Sequence, residues 1–285
     1  MKQTLQSILK EKLQPQEIDE LIGSYDIIGD IAIIRLPELL MPKGHIVAEA
    51  IMQTHSHVRS VFRQASAVSG DFRLRHLELL CGEDRVVTLY KEYGCVFKVN
   101  LERCYFSPRL SFERMRIAQL VRLDETVVNM FAGVGSFSVL MARYGKVRTV
   151  YSIDLNPYAV DLMRENIRLN RVQSQVVPVL GDSKEVIVER LQNVADRVVM
   201  PLPEKAFEYL EYSVMALKSD GGCIHYYDFE HALKGKDPVE KVEAKVRARL
   251  NDLSFEVAVT SGRIVRSTGP NWYQVVLDVQ GSKMG

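Results

Sequence analysis

The chain has little with which to build a metal centre or a disulfide framework. Its four cysteines, Cys81, Cys95, Cys104 and Cys223, never stand in C-x-x-C spacing, and its six histidines include no H-E-x-x-H. Charge interrupts every apolar run before the about eighteen residues that a membrane span needs, and the amphipathic N-terminus lacks the apolar core of a secretory signal. The expectation is a cytoplasmic protein with no metal and no membrane partner. An excess of charge of either sign is also missing: 37 Lys and Arg against 36 Asp and Glu leave a formal +1, so any nucleic acid must be held by a local basic patch. What remains is ordinary for a globular chain, 47% hydrophobic and 26% charged, and 285 residues suffice for one large domain or two modest ones.

One stretch stands out, Val127-Val128-Asn129-Met130-Phe131-Ala132-Gly133-Val134-Gly135-Ser136-Phe137-Ser138. It reads as a strand, a tight glycine turn and the start of a helix. Gly133 and Gly135 leave room for a ligand near the backbone, and free N–H groups at a helix start favour electron-rich groups. Such a turn can equally serve to pack helix on strand. Further on, Val150 to Ile153 forms another apolar strand and ends in Asp154, where a doubly wound nucleotide fold hydrogen-bonds a ribose. A third strand, Gln175 to Leu180, ends in Gly181-Asp182-Ser183 at the same sheet edge. The first turn has Ser138 in place of the third glycine of the dinucleotide fingerprint. With Phe131 and Phe137 beside it, it suits S-adenosylmethionine better than a dinucleotide.

Along the chain, residues 1–22 carry leucine and isoleucine at helical spacing, divided by Pro15 into two short helices. Residues 23–110 read as a small α+β domain, with β segments hinged at Gly29-Asp30, a turn at Pro42-Lys43-Gly44, a helix over 45–54, and strands near 58–63, 77–80, 85–90 and 95–99. His55, His57, Arg59, Arg63, Arg73, Arg75 and His76 crowd into this stretch, as a solvated face or as a surface for phosphates and bases. Ser107 or Ser111 can cap the helix that carries Glu113 to Val121. Residues 111–285 alternate regularly, with helices over 156–170, 184–191, 205–217 and 239–250, strands at 197–200 and 223–227, and an antiparallel hairpin from 255–265 and 273–279. The expected fold is α/β: a seven-stranded Rossmann-like class I methyltransferase domain preceded by a smaller α+β domain.

Four motifs in order, Tyr105-Phe106-Ser107-Pro108-Arg109-Leu110 with Glu113-Arg114, Phe131-Ala132-Gly133-Val134-Gly135, Asp154-Leu155-Asn156-Pro157 and Ile224-His225-Tyr226-Tyr227, carry a resemblance. The chain resembles the archaeal and eukaryotic tRNA guanosine-37 N1-methyltransferases and their paralogues in wybutosine synthesis. That resemblance implies S-adenosylmethionine as cofactor, held by Ser107, Arg109, Arg114, Phe131, Gly133, Gly135, Asp154, Asp182 and Ser183. It implies a tRNA partner met at the anticodon stem-loop, with residues 23–110 recognising RNA and residues 111–285 binding cofactor and catalysing. By the same resemblance Glu113 takes the N1 proton of guanine while Arg73 steadies O6. Read from the residues alone, Glu113 could instead be an exposed first-turn acid that favours the helix dipole. Phosphate contacts are expected from the Arg59 to Arg75 interval and from a basic helix with Lys241, Lys245, Arg247 and Arg249.

Three departures from the family pattern accompany these matches. Pro201-Leu202-Pro203 stands where Asn-Leu-Pro is usual, Asn129 where an aspartate precedes the glycine turn, and a separate tRNA-elbow domain is not evident before the small domain. They leave open two alternatives: transfer of an aminocarboxypropyl or methyl group to a tricyclic wyosine-type base, or a tRNA-binding relative without activity. The Ser-Pro-Arg-Leu, Asp-Leu-Asn-Pro and His-Tyr-Tyr matches side with methyl transfer.

Overall fold

A computed structural model of the chain describes residues 5–20, 25–66, 70 and 72–284. Residues 1–4, 21 and 22 of the expected N-terminal helical segment lie outside the described residues. The chain divides into two compact units, Met1–Arg109 and Leu110–Gly285.

The first unit opens with two short helices, α1 (Leu5–Leu9) and α2 (Pro15–Asp19). Pro15 starts the second of them, where its missing N–H breaks no helical bond. A four-stranded sheet follows in the order β1-β2-β3-β4: β1 (Asp26–Ile28), β2 (Ile31–Ile34), β3 (Ser60–Gln64) and β4 (Leu77–Gly82). Because β2 and β3 are parallel, the chain must cross over between them, and it does so through helix α3 (Gly44–Thr54). Val47, Ala48 and Ile51 of that helix are buried with Leu9, Leu40 and Val61. A separate hairpin, β5 (Val87–Glu92) with β6 (Cys95–Asn100), completes the unit.

The second unit begins with helix α4 (Ser111–Leu120). Its N-cap position is Leu110 and makes no side-chain cap, so neither Ser107 nor Ser111 fills the capping role expected of them. Strands and helices then alternate as β7 (Thr126–Asn129), α5 (Ser136–Tyr144), β8 (Thr149–Asp154), α6 (Pro157–Leu169), β9 (Val176–Leu180), α7 (Ser183–Arg190) and β10 (Arg197–Met200). The single helix expected over 205–217 is two, α8 (Pro203–Ala206) and α9 (Leu210–Ala216). Between them Tyr209 turns its hydroxyl to Asp182 at 3.0 Å, a contact that periodicity alone does not reveal. Strand β11 (Gly222–His231), helix α10 (Pro238–Asp252) and the hairpin β12 (Phe255–Gly269) and β13 (Trp272–Lys283) end the chain.

These strands form one seven-stranded sheet in the order β12-β13-β11-β10-β7-β8-β9. Strands β7 to β11 are parallel and β13 runs antiparallel to β11. The order reverses between β7 and β10, and in such sheets the crevice beyond the carboxyl ends at that reversal is where ligands bind. The fold is the α/β arrangement anticipated above. Its core is continuous from Val128 and Ile153 through Val198, Ile224 and Tyr226 to Val246 and Leu277.

Gly135 shows which of the two readings of the glycine turn applies at that residue. Its φ is +85°, and a Cβ there would lie 2.7 Å from Cγ of Met163 on α6. The missing side chain lets the turn pack against a helix. Gly135→Ala is therefore expected to lower stability by about 1–3 kcal/mol through backbone strain and crowding, read as a lower denaturant midpoint. An unchanged midpoint would remove the packing role.

Candidate active site

The first half of the site is the row of strand ends at β7, β8 and β9. Backbone bonds stitch these ends together: Ala132 N–H donates to the Ile153 carbonyl at 2.8 Å and Gly181 N–H to the Asp154 carbonyl at 3.1 Å. Asp154 Oδ2 accepts the Gly133 N–H at 2.6 Å and Oδ1 the Asn156 N–H at 2.9 Å. Burial pushes its pKa up, against the pull of those two bonds. Asp182 caps α7, Oδ1 accepting from Lys184 N–H at 3.0 Å, and its other oxygen takes the Tyr209 hydroxyl. Burial and then that bond raise the phenol's pKa. The Tyr209 ring meets Phe131 edge-on, with 5.2 Å between centroids.

Two buried polar atoms here have no protein partner, Ser183 Oγ and Asn129 Oδ1. Buried polar groups are nearly always paired, so such atoms mark places that a ligand or water completes. Asn129 spends its amide on Ser138 Oγ at 3.1 Å, and Ser152 bonds the same oxygen at 2.7 Å. Two carboxylates, an unsatisfied hydroxyl and an aromatic edge on adjacent strand ends fit the ribose and base of a nucleoside.

The second half lies over β11, β13 and β12. Cross-strand pairing sets His225 opposite Asp278, and Tyr227 opposite Val276, which is in turn opposite Arg263. Alternation along the strands therefore brings His225, Tyr227, Asp278 and Arg263 to one face of the sheet. Glu113 on α4 is 1% exposed and meets this face. Its Oε1 accepts the Tyr227 hydroxyl at 2.6 Å and an Arg116 nitrogen at 2.7 Å; Oε2 accepts Arg116 Nε at 3.0 Å and Arg263 at 2.5 Å. It is no exposed first-turn acid.

Arg116 continues the chain of contacts, giving Asp278 bonds of 2.5 and 3.1 Å. His225 Nδ1 lies 2.5 Å from Asp278, and its Nε2 lies 2.6 Å from Arg197. An arginine only donates, so Nε2 carries the lone pair and Nδ1 holds the proton that Asp278 accepts. Arg197 also grips Glu125 at 2.7 and 3.0 Å and the Leu120 carbonyl at 2.8 Å, tying the end of α4 into the same network. Burial pushes the Asp278 carboxyl up, but the His225 and Arg116 bonds outweigh it and hold it well below the usual range. Burial, then the Glu113 charge, drives the Tyr227 phenol up.

The remaining sequence-derived residues are distributed as follows. Arg114 is 2% exposed on α4. In the first unit Ser107 is buried, and Arg109 donates from Nε to Asp26 at 2.6 Å. Arg73, also in the first unit, holds its guanidinium 4.3 Å from the Tyr105 ring centre. The basic helix is not a free cationic stripe, because Lys241, Lys245, Arg247 and Arg249 pair with Glu230, Asp228, Glu243 and Glu211. Sequence reasoning passed over Arg116, Asp278 and Arg263. Asp278 was the available signal, a lone charge in the apolar run Val275-Val276-Leu277-Asp278-Val279. Among the described residues no cluster could hold a metal ion and no helix is long and apolar enough to cross a membrane.

A seven-stranded sheet, parallel from β7 to β11 and closed by an antiparallel hairpin, with its reversal beside a nucleoside-type edge, defines the S-adenosylmethionine-dependent methyltransferase class. Residues 88–254 match the TRM5/TYW2 methyltransferase domain and residues 5–85 the TYW2 N-terminal domain. The chain belongs to the TRM5/TYW2 family. It is 39% identical to the tRNA (guanine(37)-N(1))-methyltransferase Trm5b of Pyrococcus abyssi, over 94% of this chain and 78% of that protein. It is 38% identical to the tRNA 4-demethylwyosine(37)-methyltransferase Taw21 of Saccharolobus solfataricus, over 96% of this chain and 99% of that one. Among solved structures, the complex of aTrm5 with tRNALeu superposes with a TM-score of 0.84 at 34% identity, covering 98% of this chain and 78% of that chain. The TYW2 of M. jannaschii in complex with AdoMet gives a TM-score of 0.68 at 27% identity, covering 92% of this chain and 100% of that one.

The ionic network sets a stability test. The folded-state pKa of Asp278 is depressed, so its contribution is complete above about pH 4, the ordinary aspartate value, and is lost as pH falls further. Asp278→Asn should cost about 3 kcal/mol at neutral pH by leaving Arg116 underpaired, with the gap from the parent narrowing in acid. Urea unfolding across pH checks this; a gap that stays constant into acid would contradict it.

Proposed function

We propose that this protein transfers a methyl group from S-adenosylmethionine to N1 of guanosine 37, next to the anticodon of a tRNA. The observation that carries the reading is Glu113, a carboxylate sealed on a face of the same sheet whose strand ends form the nucleoside-type edge, and held in one orientation by Tyr227 and Arg116. Guanine N1 is a poor nucleophile until its proton is removed. A carboxylate fixed in place can take that proton, while Arg73, by family resemblance, faces O6 where negative charge develops.

Asp154 would hold the ribose, Asp182 and Ser183 the adenine side, and the Phe131 to Gly135 turn the methionine side, with Ser107, Arg109 and Arg114 contributing as in relatives. The bound cofactor supplies a methyl carbon made electrophilic by its sulfonium. The residues of the chain orient the acceptor, remove its proton and exclude water. Residues 23–110 form the RNA-recognition domain in this reading, with the anticodon stem-loop as the part of tRNA they meet and Arg59 and Arg75 as phosphate contacts. A cytoplasmic site of action goes with that substrate.

One observation favours a second reading, methyl transfer to a tricyclic base at the same position. Pro201 follows β10 where the family's methyltransferases usually place an asparagine, and proline offers the acceptor base neither a side-chain polar group nor an N–H. The likeness to Taw21 over nearly its whole length points the same way.

Two measurements test the reading. Asp154→Ala should weaken S-adenosylmethionine about ten- to hundredfold by calorimetry, and equal affinity would displace the ribose assignment. Glu113→Gln should slow single-turnover transfer about a hundred- to ten-thousandfold while tRNA affinity changes little. An unchanged rate would leave Glu113 a structural acid.

A further inference from the structure

Three donor side chains reach Glu113, and they differ in one respect. Tyr227 is 1% exposed and Arg116 is 16% exposed, whereas Arg263 is 34% exposed. Arg263 is the most exposed of the three, so its side is the most open approach for a base that delivers an N–H to this carboxylate. The guanidinium of Arg263 also lies 5.3 Å from the ring centre of Phe112, a side chain that is itself 67% exposed. Its seat is imperfect, since Arg263 Nε is buried without a hydrogen-bond partner. An exposed aromatic ring, a planar group over it and an N–H given to a carboxylate are what a purine needs from a binding place.

Guanine presents that pattern itself. Its N1, C2 and exocyclic amine form a guanidine fragment, planar, with N–H donors along one edge. We propose that Arg263 is a specificity-determining residue that occupies the acceptor place in the RNA-free protein, its guanidinium standing in for the guanine edge until the base exchanges with it. The inference rests on the reading that Glu113 receives the N1 proton. It adds a selection rule: a base still carrying N1–H must exchange with the bond that Arg263 gives up, and a base substituted or ring-closed at N1 has no donor to offer and binds with Arg263 still on Glu113. Only the base with N1–H therefore competes with the ion pair, and Arg263 sets what that exchange costs.

The test is equilibrium binding of two anticodon stem-loops, carrying guanosine or 1-methylguanosine at position 37, to the parent and to Arg263→Ala. With the competing ion pair gone, the preference for guanosine over 1-methylguanosine should rise about two- to fivefold, and the ratio cancels any general loss of phosphate attraction. Millimolar guanidinium chloride, against equal potassium chloride, should then weaken guanosine RNA on Arg263→Ala and not on the parent, because the free ion refills the vacated place. An unchanged or reduced preference, or an equal effect of guanidinium on both proteins, overturns the proposal. Thermal unfolding of Arg263→Ala at the parent's temperature secures the comparison. Binding needs no group transfer, so a protein that shows the exchange but methylates no tRNA defeats the activity reading alone. One that methylates with no change in preference defeats only the role of Arg263.

Discussion

A single buried carboxylate constrains the catalytic unit. Glu113 is taken from water almost completely, and leaving such a charge unpaired would cost several kcal/mol. The protein offsets that cost with a tyrosine hydroxyl and two guanidiniums, then with further charges to hold those in turn. Glu113, Asp278 and Glu125 stand against Arg116, Arg263 and Arg197, with a neutral His225 between two of them. Three negative and three positive groups close the balance, and no counter-ion is required from solvent.

This arrangement depends on strand register. His225 reaches Asp278 because the two face each other across β11 and β13, and Tyr227 and Arg263 converge because both are in register with Val276. A slip of one residue in either pairing would turn these side chains to the opposite face and strand the carboxylate. The terminal hairpin is therefore part of the network around Glu113 as well as an edge of the sheet. The strand-end half depends instead on backbone donors: Asp154 and Asp182 each accept the N–H two residues on, and Asp154 also that of Gly133 in the turn after the neighbouring strand.

That contrast explains what could be read from the sequence. Asp154 and Asp182 were legible because local rules place them: an acidic residue at the end of an apolar strand in an alternating pattern lies at the ligand edge of the sheet. Glu113 was found through family motifs, whereas its burial was not legible, since a first-turn glutamate looks like a dipole acid until the sheet face above it is known. Arg116, Arg263 and Asp278 escaped because their partners are far away in the chain, Asp278 lying 162 positions from Arg116. The break between α8 and α9 was invisible for the same reason, as Tyr209 answers to Asp182 and not to its neighbours. In the basic helix, lysines and arginines that looked like phosphate contacts proved to be paired at home.

Membership of the TRM5/TYW2 family fixes the class of chemistry, and the role proposed for Glu113 concerns the acceptor base. The most direct test is nucleoside mass spectrometry of an unmodified tRNA carrying guanosine 37 after incubation with the protein and S-adenosylmethionine, with the spent cofactor identified in the same mixture. The account predicts 1-methylguanosine at that position together with S-adenosylhomocysteine. Unmodified guanosine 37 alongside methylation of a tRNA that carries the tricyclic base, or release of methylthioadenosine, would contradict it.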